Sequence, residues 1–190
     1  MTIRSCEERT KRELDNAMRF LLREKPLEQI RVKDLAEVCG IRRQSFYYHF
    51  SDIYELFTWT IQRERRLVQA QQEKCLAWQQ LILQILRRID SNKAYYQTLL
   101  RISGQEGLRE ILGEVFCQTE IQTLAFYQKR YAGGWSSELE AQLTRIIRQR
   151  VDVTWILLTY WINSETAAER ELLLSMLGPG SQDACAALLI

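Results

Sequence analysis

Residues 31–56, RVKDLAEVCGIRRQSFYYHFSDIYEL, decide the fold. Val32, Leu35, Ala36 and Cys39 recur at i, i+3, i+4 and i+7, the spacing of one helical face. Gly40 follows at the position where a left-handed residue ends a helix, a conformation that costs glycine little. Ile41 turns back toward the core, and Phe46 and Phe50, four apart, share an inward face. The spacing predicts two short helices around a glycine turn, a helix-turn-helix. Its second helix has the size to enter a DNA major groove.

The apolar positions leave Arg42, Arg43, Gln44, Ser45, Tyr47 and Tyr48 for the outward faces. Arginine pairs bidentately with guanine, glutamine with adenine, and serine with several base edges. Arg43, Gln44, Ser45 and Tyr48 are therefore the candidate base contacts. Phosphate oxygens need donors and cations, which Arg31, Lys33, Arg42, Tyr47 and His49 supply. A plainer reading stands beside this one. Two short amphipathic helices around a glycine also occur in bundles that bind nothing, with Arg42 and Arg43 a solvated pair and Tyr47 and Tyr48 packing.

The segment resembles the DNA-binding domain of the TetR/AcrR regulators. That family shows a Thr-x-x-x-Ile-Ala-x-x-Ala-Gly-Val-Ser run, a Tyr-x-His/Tyr-Phe signature and a Lys-x-x-Leu start to the next helix. Leu35-Ala36, Gly40-Ile41, Tyr47, His49-Phe50 and Leu56 match it. The resemblance is specific over about the first sixty residues and weak beyond them. It implies phosphate contacts from Tyr47 and His49, and base and backbone contacts from the Arg42–Tyr48 stretch. Three positions depart from the pattern: Arg31 replaces a capping Thr or Ser, Arg42 replaces a Ser, and Ile53 replaces a Lys near the phosphate backbone. Two of these changes add charge and one removes a donor, which implies rearranged phosphate anchoring. The Phe-Tyr-Tyr-His-Phe and Asp-Ile-Tyr-Glu-Leu runs also resemble regulators related to the dihydroxyacetone-kinase group.

The chain has 190 residues, 26 Lys+Arg against 24 Asp+Glu, so no basic tail advertises nonspecific nucleic-acid binding. Residues 1–50 hold 11 basic and 8 acidic side chains, and the rest hold 15 and 16, so the small positive excess lies at the helix-turn-helix end. Cys6, Cys39, Cys75, Cys117 and Cys185 lie far apart, and His49 is the sole histidine. That argues against a metal or haem site built from local spacing and fits a reduced compartment, with the cysteines as core packing and a redox sensor as the alternative. No cofactor is expected. Enzyme chemistry finds no support: there is no G-x-S-x-G, no phosphate-cradling glycine loop, and the Glu7-Glu8 pair falls at a helix start. The N-terminus is charged from Arg4 without an apolar leader, and the most apolar run, Val153 to Ile162, is far shorter than the ~20 residues that span a bilayer. A cytoplasmic location without membrane contact is the expectation.

No Gly or Pro occurs between Ile41 and Ser103, and no alternating run marks a strand. The fold class read from this is all-α: an N-terminal three-helix helix-turn-helix DNA-binding domain over 1–51, then a C-terminal helical ligand-binding and dimerisation domain over 52–190. Helix 1 is expected from about Cys6 to Glu24, opened by a Ser5…Glu8 capping box and stopped by Pro26. A further box at Asp52…Glu55 opens helix 4, with Arg63, Arg65 and Arg66 facing solvent or a partner. The later helices are expected over about 76–89, 92–102, 106–131, 137–163 (opened by Ser137…Glu140) and 166–177.

The second half of the 137–163 helix is apolar on more than one face, so part of it needs another surface. Position in the family implies a homodimer there, through Val153, Ile156, Leu157, Tyr160, Trp161, Leu173 and Leu177. A helix fully buried in a monomer is the alternative. The family's effector pocket would draw on Trp78, Tyr95, Tyr96, Phe116, Phe126, Tyr127 and Trp155, although any one of these is more ordinarily core. The expected function is a TetR-type repressor that binds a palindromic operator in double-stranded DNA as a homodimer and is released by a small-molecule effector. The alternative is a co-regulator or activator whose C-terminal domain binds a protein partner.

Overall fold

The computed structural model describes residues 3–72, 78–130 and 135–175. Among them the structure is all-helical: α1 (Ile3–Leu21), α2 (Val32–Cys39), α3 (Arg43–His49), α4 (Ile53–Gln72), α5 (Trp78–Ser91), α6 (Lys93–Arg130), α7 (Ser137–Asn163) and α8 (Ala167–Ser175), with a 3-10 turn at Leu27–Gln29.

The first three helices and the start of α4 close around one apolar centre. Leu14, Ala17, Met18 and Leu21 of α1 meet Leu35 of α2, Phe46 and Phe50 at α3, and Leu56 and Phe57 of α4. The Phe46 and Phe50 rings lie 6.0 Å apart, both buried, as their four-residue spacing required. Gly40 adopts φ 64°, ψ 30°. Its N–H bonds to the Glu37 carbonyl at 3.2 Å, and that of Ile41 reaches back to the Ala36 carbonyl at 2.9 Å. These are the two bonds of a Schellman ending, with Ile41 packed on the core beside it.

Several helix ends differ from expectation. α1 begins at Ile3, so Ser5 lies inside the helix and is no cap, and α1 ends at Leu21, ahead of Pro26. At α4 the Asp52 carboxylate accepts from Glu55 N (2.8 Å), while the Glu55 carboxylate reaches past Asp52 to Ser51 N (2.6 Å). The α7 cap is Ser136, one residue earlier than expected, accepting from Leu139 N at 3.1 Å. The expected 92–102 and 106–131 helices follow one another in α6, divided by Gly104 at φ 56°, ψ −150°, a conformation essentially reserved for glycine.

α4 is the spine. At ~1.5 Å per residue its 20 residues run about 30 Å, from the helix-turn-helix into the remaining helices. It packs on α1 at one end and along α6, and α6 in turn lies on α7. Arg63, expected to face outward, turns inward onto Asp15 of α1. Glu64, next to it, is fully buried. It accepts from Arg19 of α1 at 2.8 Å, from Arg88 of α5 through both oxygens, and from the Tyr96 hydroxyl of α6 at 2.7 Å. Arg19 also bonds Asp15 (2.9 Å) and covers the Tyr95 ring at 4.2 Å. On the surface Arg101 of α6 grips Glu28 with two bonds, 2.8 and 3.1 Å.

Candidate nucleic-acid interface

α3 is anchored by its inner face and open on the other. Phe46 is fully buried, and its ring meets that of Tyr47 edge-on at 5.5 Å. Arg42, Arg43, Gln44, Tyr47 and Tyr48 are exposed, with Ser45 and His49 half-buried. Positions 43 and 47, and 44 and 48, stack one turn apart, so the helix offers two adjoining polar rows. Arg42 takes the N-cap position, where a guanidinium cannot accept a hydrogen bond, and no side chain caps the helix.

Arg31 and Lys33 lie at the start of α2, both exposed. Arg31 stands where the resemblance expects a capping hydroxyl. In its place the Asp34 carboxylate accepts from Arg31 N at 3.0 Å and pairs with Lys25. The hydrogen bond from Lys25, then the one from the Arg31 backbone, holds the Asp34 carboxyl below its usual range. None of Arg31, Lys33, Arg42 and Arg43 forms a salt bridge among the described residues. Lys33, Arg42 and Arg43 are thus exposed cations with no salt-bridge partner among the described residues, while the Arg31 charge also acts on Asp34. Ile53, at the position of the expected lysine, is half-buried against the core instead of reaching outward.

Tyr48, read from the sequence as a base contact, has a partner that the sequence did not give. Its hydroxyl donates to Glu7 Oε1 of α1 at 2.9 Å, although the ring remains 72% exposed. The bond to Glu7 raises the Tyr48 pKa, so the phenol keeps its proton. Partial burial, then the charge of Lys11, pushes the His49 pKa down against the opposing pull of Glu7. At neutral pH His49 is a single N–H donor. Glu7 and Lys11 were missed because they lie some forty residues from α3. The available signal was that charged side chains on the first turns of α1 share a side with the end of α3.

Among the described residues, those the sequence offers for a pocket do not line one cavity together. Tyr95 and Tyr96 are buried in the charge network at α4, with Tyr95 3.4 Å from the Thr60 hydroxyl. Phe116 and Trp155 meet at 4.8 Å, with Arg109 over the indole, beside an open cleft of about 190 Å³. Ligand pockets commonly hold ~300–1,000 Å³. Phe126 is 60% exposed, farther along α6. The side chains of Trp78 and Tyr127 lie outside the described set, as does Leu177.

The sequence-derived dimer residues divide in two. Val153, Ile156 and Tyr160 of α7 are at least half exposed, and with Leu157, Leu172 and Leu173 they line an apolar groove of about 480 Å³ between α7 and α8. Trp161 does not belong to that face. It is buried, and its indole N–H donates to Asp90 of α5 at 3.0 Å, because α7 uses this side to pack on its own chain.

Among the described residues no three His, Cys, Asp or Glu side chains are placed to hold a metal, and no helix is long and apolar enough to cross a membrane. Cys39 is half-buried, and burial raises its thiol pKa, which suits packing; Cys117 is exposed.

No family model matches the chain. It is similar to the HTH-type dhaKLM operon transcriptional activator DhaS of Lactococcus lactis subsp. lactis (strain IL1403), 29% identical over 93 residues. The match takes in 49% of this chain and 50% of that protein, so the chain spans about half the length of the curated relative it matches. A solved structure titled dihydroxyacetone kinase operon activator DhaS has the same fold, with a TM-score of 0.56 at 21% identity over 88% of this chain and 96% of that one. The shared architecture is all-α with an N-terminal helix-turn-helix.

Proposed function

We propose that this chain is a sequence-specific DNA-binding transcription regulator of the TetR type, acting as a homodimer. Residues 1–51 form the reading head and residues 52–190 the body that pairs and receives the signal. One observation carries the reading: a recognition-sized helix, fixed from behind by Phe46 and Phe50, presents Arg42, Arg43, Gln44, Tyr47 and Tyr48 outward. Arg43, Gln44, Ser45 and Tyr48 read base edges. Arg31, Lys33, Arg42, Tyr47 and His49 hold the backbone.

The dimer reading rests on the α7–α8 groove. Val153, Ile156, Tyr160 and Leu172 place large apolar side chains together in solvent, as paired surfaces do. A twofold axis there sets two recognition helices against successive major grooves of a palindrome.

Activation is favoured over repression, because both similar proteins are named activators. The chain's position in the cell is the cytoplasm, with the DNA. Binding to a random duplex, followed by fluorescence anisotropy as salt rises, tests the core of the reading. Log affinity should fall linearly with log salt. No binding in dilute buffer would remove the function proposed here.

A further inference from the structure

Glu7 lies on α1, outside the helix-turn-helix proper, yet its carboxylate holds the hydroxyl of Tyr48, the more exposed of the two α3 tyrosines. A tyrosine hydroxyl has one proton to give and lone pairs to receive. With the proton given to Glu7, the oxygen facing away from α1 can only accept. A charge-assisted bond is the stronger kind, so a base edge does not readily displace it.

We propose that Glu7 is a positioning residue that makes Tyr48 a reader of base amino groups, adenine N6 or cytosine N4, at one position of each half-site. The inference rests on the DNA-binding reading above. In the major groove, adenine and cytosine present an amine donor, whereas guanine and thymine present carbonyl acceptors. An oxygen that only accepts attracts the first pair and repels the second, and the negative charge behind it strengthens both effects. Phosphates are acceptors too, so the same arrangement excludes Tyr48 from backbone anchoring. Tyr47, four residues on from Arg43 and without this carboxylate contact, keeps its proton for a phosphate. The Tyr48 and His49 rings also meet edge-on at 5.0 Å, a second contact that steadies the tyrosine beside the one to Glu7.

The test is selection of bound sequences from a random duplex pool by the full chain, by Tyr48→Phe and by Glu7→Gln. The native chain should show one column per half-site restricted to adenine and cytosine. Tyr48→Phe should reduce that restriction about five-fold, the weight of one hydrogen bond, and leave other columns alone. Glu7→Gln should admit guanine and thymine at the same column, because an uncharged amide oxygen accepts more weakly than a carboxylate and holds the tyrosine proton less firmly. It should also raise affinity for all duplexes, a uniform gain removed by normalising to random DNA. Unchanged columns in both variants, with the native chain still selecting a site, overturn the inference and leave the DNA-binding reading standing. A Glu7→Gln effect that is uniform across sequences reduces Glu7 to simple repulsion and overturns it as well. A native chain that selects nothing removes the reading beneath it.

Discussion

The Arg19 guanidinium of α1 stands 2.8 Å from the Glu64 carboxylate of α4, and Glu64 is wholly buried. This contact fastens the helix behind the recognition helix to the helix that leads away from it. Arg88 and Tyr96 close on the same carboxylate from α5 and α6, so four helices meet on one side chain. Such a junction costs desolvation, and its partners repay it only together. It ties α1, which packs with α2 and α3, to α4, α5 and α6.

Removing the carboxylate should therefore be costly. Glu64→Ala leaves Arg19 and Arg88 short of a countercharge and should destabilise the fold by about 3 kcal/mol, measured by urea denaturation. Burial opposes the charged form of Glu64, but the Arg88 hydrogen bond and the Arg19 and Arg88 charges outweigh it and hold its pKa below the ordinary value. A carboxyl with a depressed native pKa adds stability above its unfolded value. That stability is lost as the pH falls from about 4.5 through the native value. Glu64→Gln should thus flatten the loss of stability on acidification in that window. A variant with the native acid profile would contradict the role given to this group.

Gly40 closes α2 at φ 64° with open space around the position a Cβ would take. Strain, not collision, decides its replacement. Gly40→Ala should cost about 1 kcal/mol, and Gly40→Asn less, because asparagine tolerates the left-handed region. Thermal denaturation of the pair measures the difference, and an alanine variant as stable as the native chain would refute the turn geometry.

Much of this is legible in the sequence. The i, i+3, i+4, i+7 run of α2, Gly40 and the Phe46–Phe50 pair are local signals, and the helices stand where these put them. The Asp15–Arg19–Glu64–Arg88 cluster was not legible. Only Asp15 and Arg19 are near in sequence, and i,i+4 charge pairs ordinarily lie on the surface. Arg63 was misread for the same reason: its position on α4 says polar, but the Asp15 carboxylate that draws it inward comes from another helix. Trp161 looked like part of an apolar outer face because periodicity cannot tell which side of a doubly apolar helix its own chain covers. At α3 the outward face was readable residue by residue, but the Glu7 partner of Tyr48 was not.

Within the recognition helix, neighbouring arginines should behave differently. Arg43→Ala should cost ~1–3 kcal/mol against one base position and relax preference there. Arg42→Ala, a backbone contact, should weaken binding to every duplex and reduce the salt slope by about one. Anisotropy titrations on specific and random duplexes separate the two. Identical behaviour on both DNAs would contradict the assignment.

The groove between α7 and α8 makes a separate prediction. Ile156 is 53% exposed in the single chain, so Ile156→Asp should barely alter folding. Across a twofold contact the same charge would face apolar side chains and its own copy. Sedimentation should show a native dimer and a variant monomer, with DNA affinity falling alongside. A monomeric native chain would leave the groove without the role proposed for it.

The account turns on one surface, from Arg42 to His49, presented to a duplex twice. Sequences selected from a random pool at physiological salt test that most directly. The account predicts a palindrome whose half-sites are centred about one helical turn, ~34–36 Å, apart. Selection of a single unrepeated site, or no enrichment at any salt concentration, would contradict it.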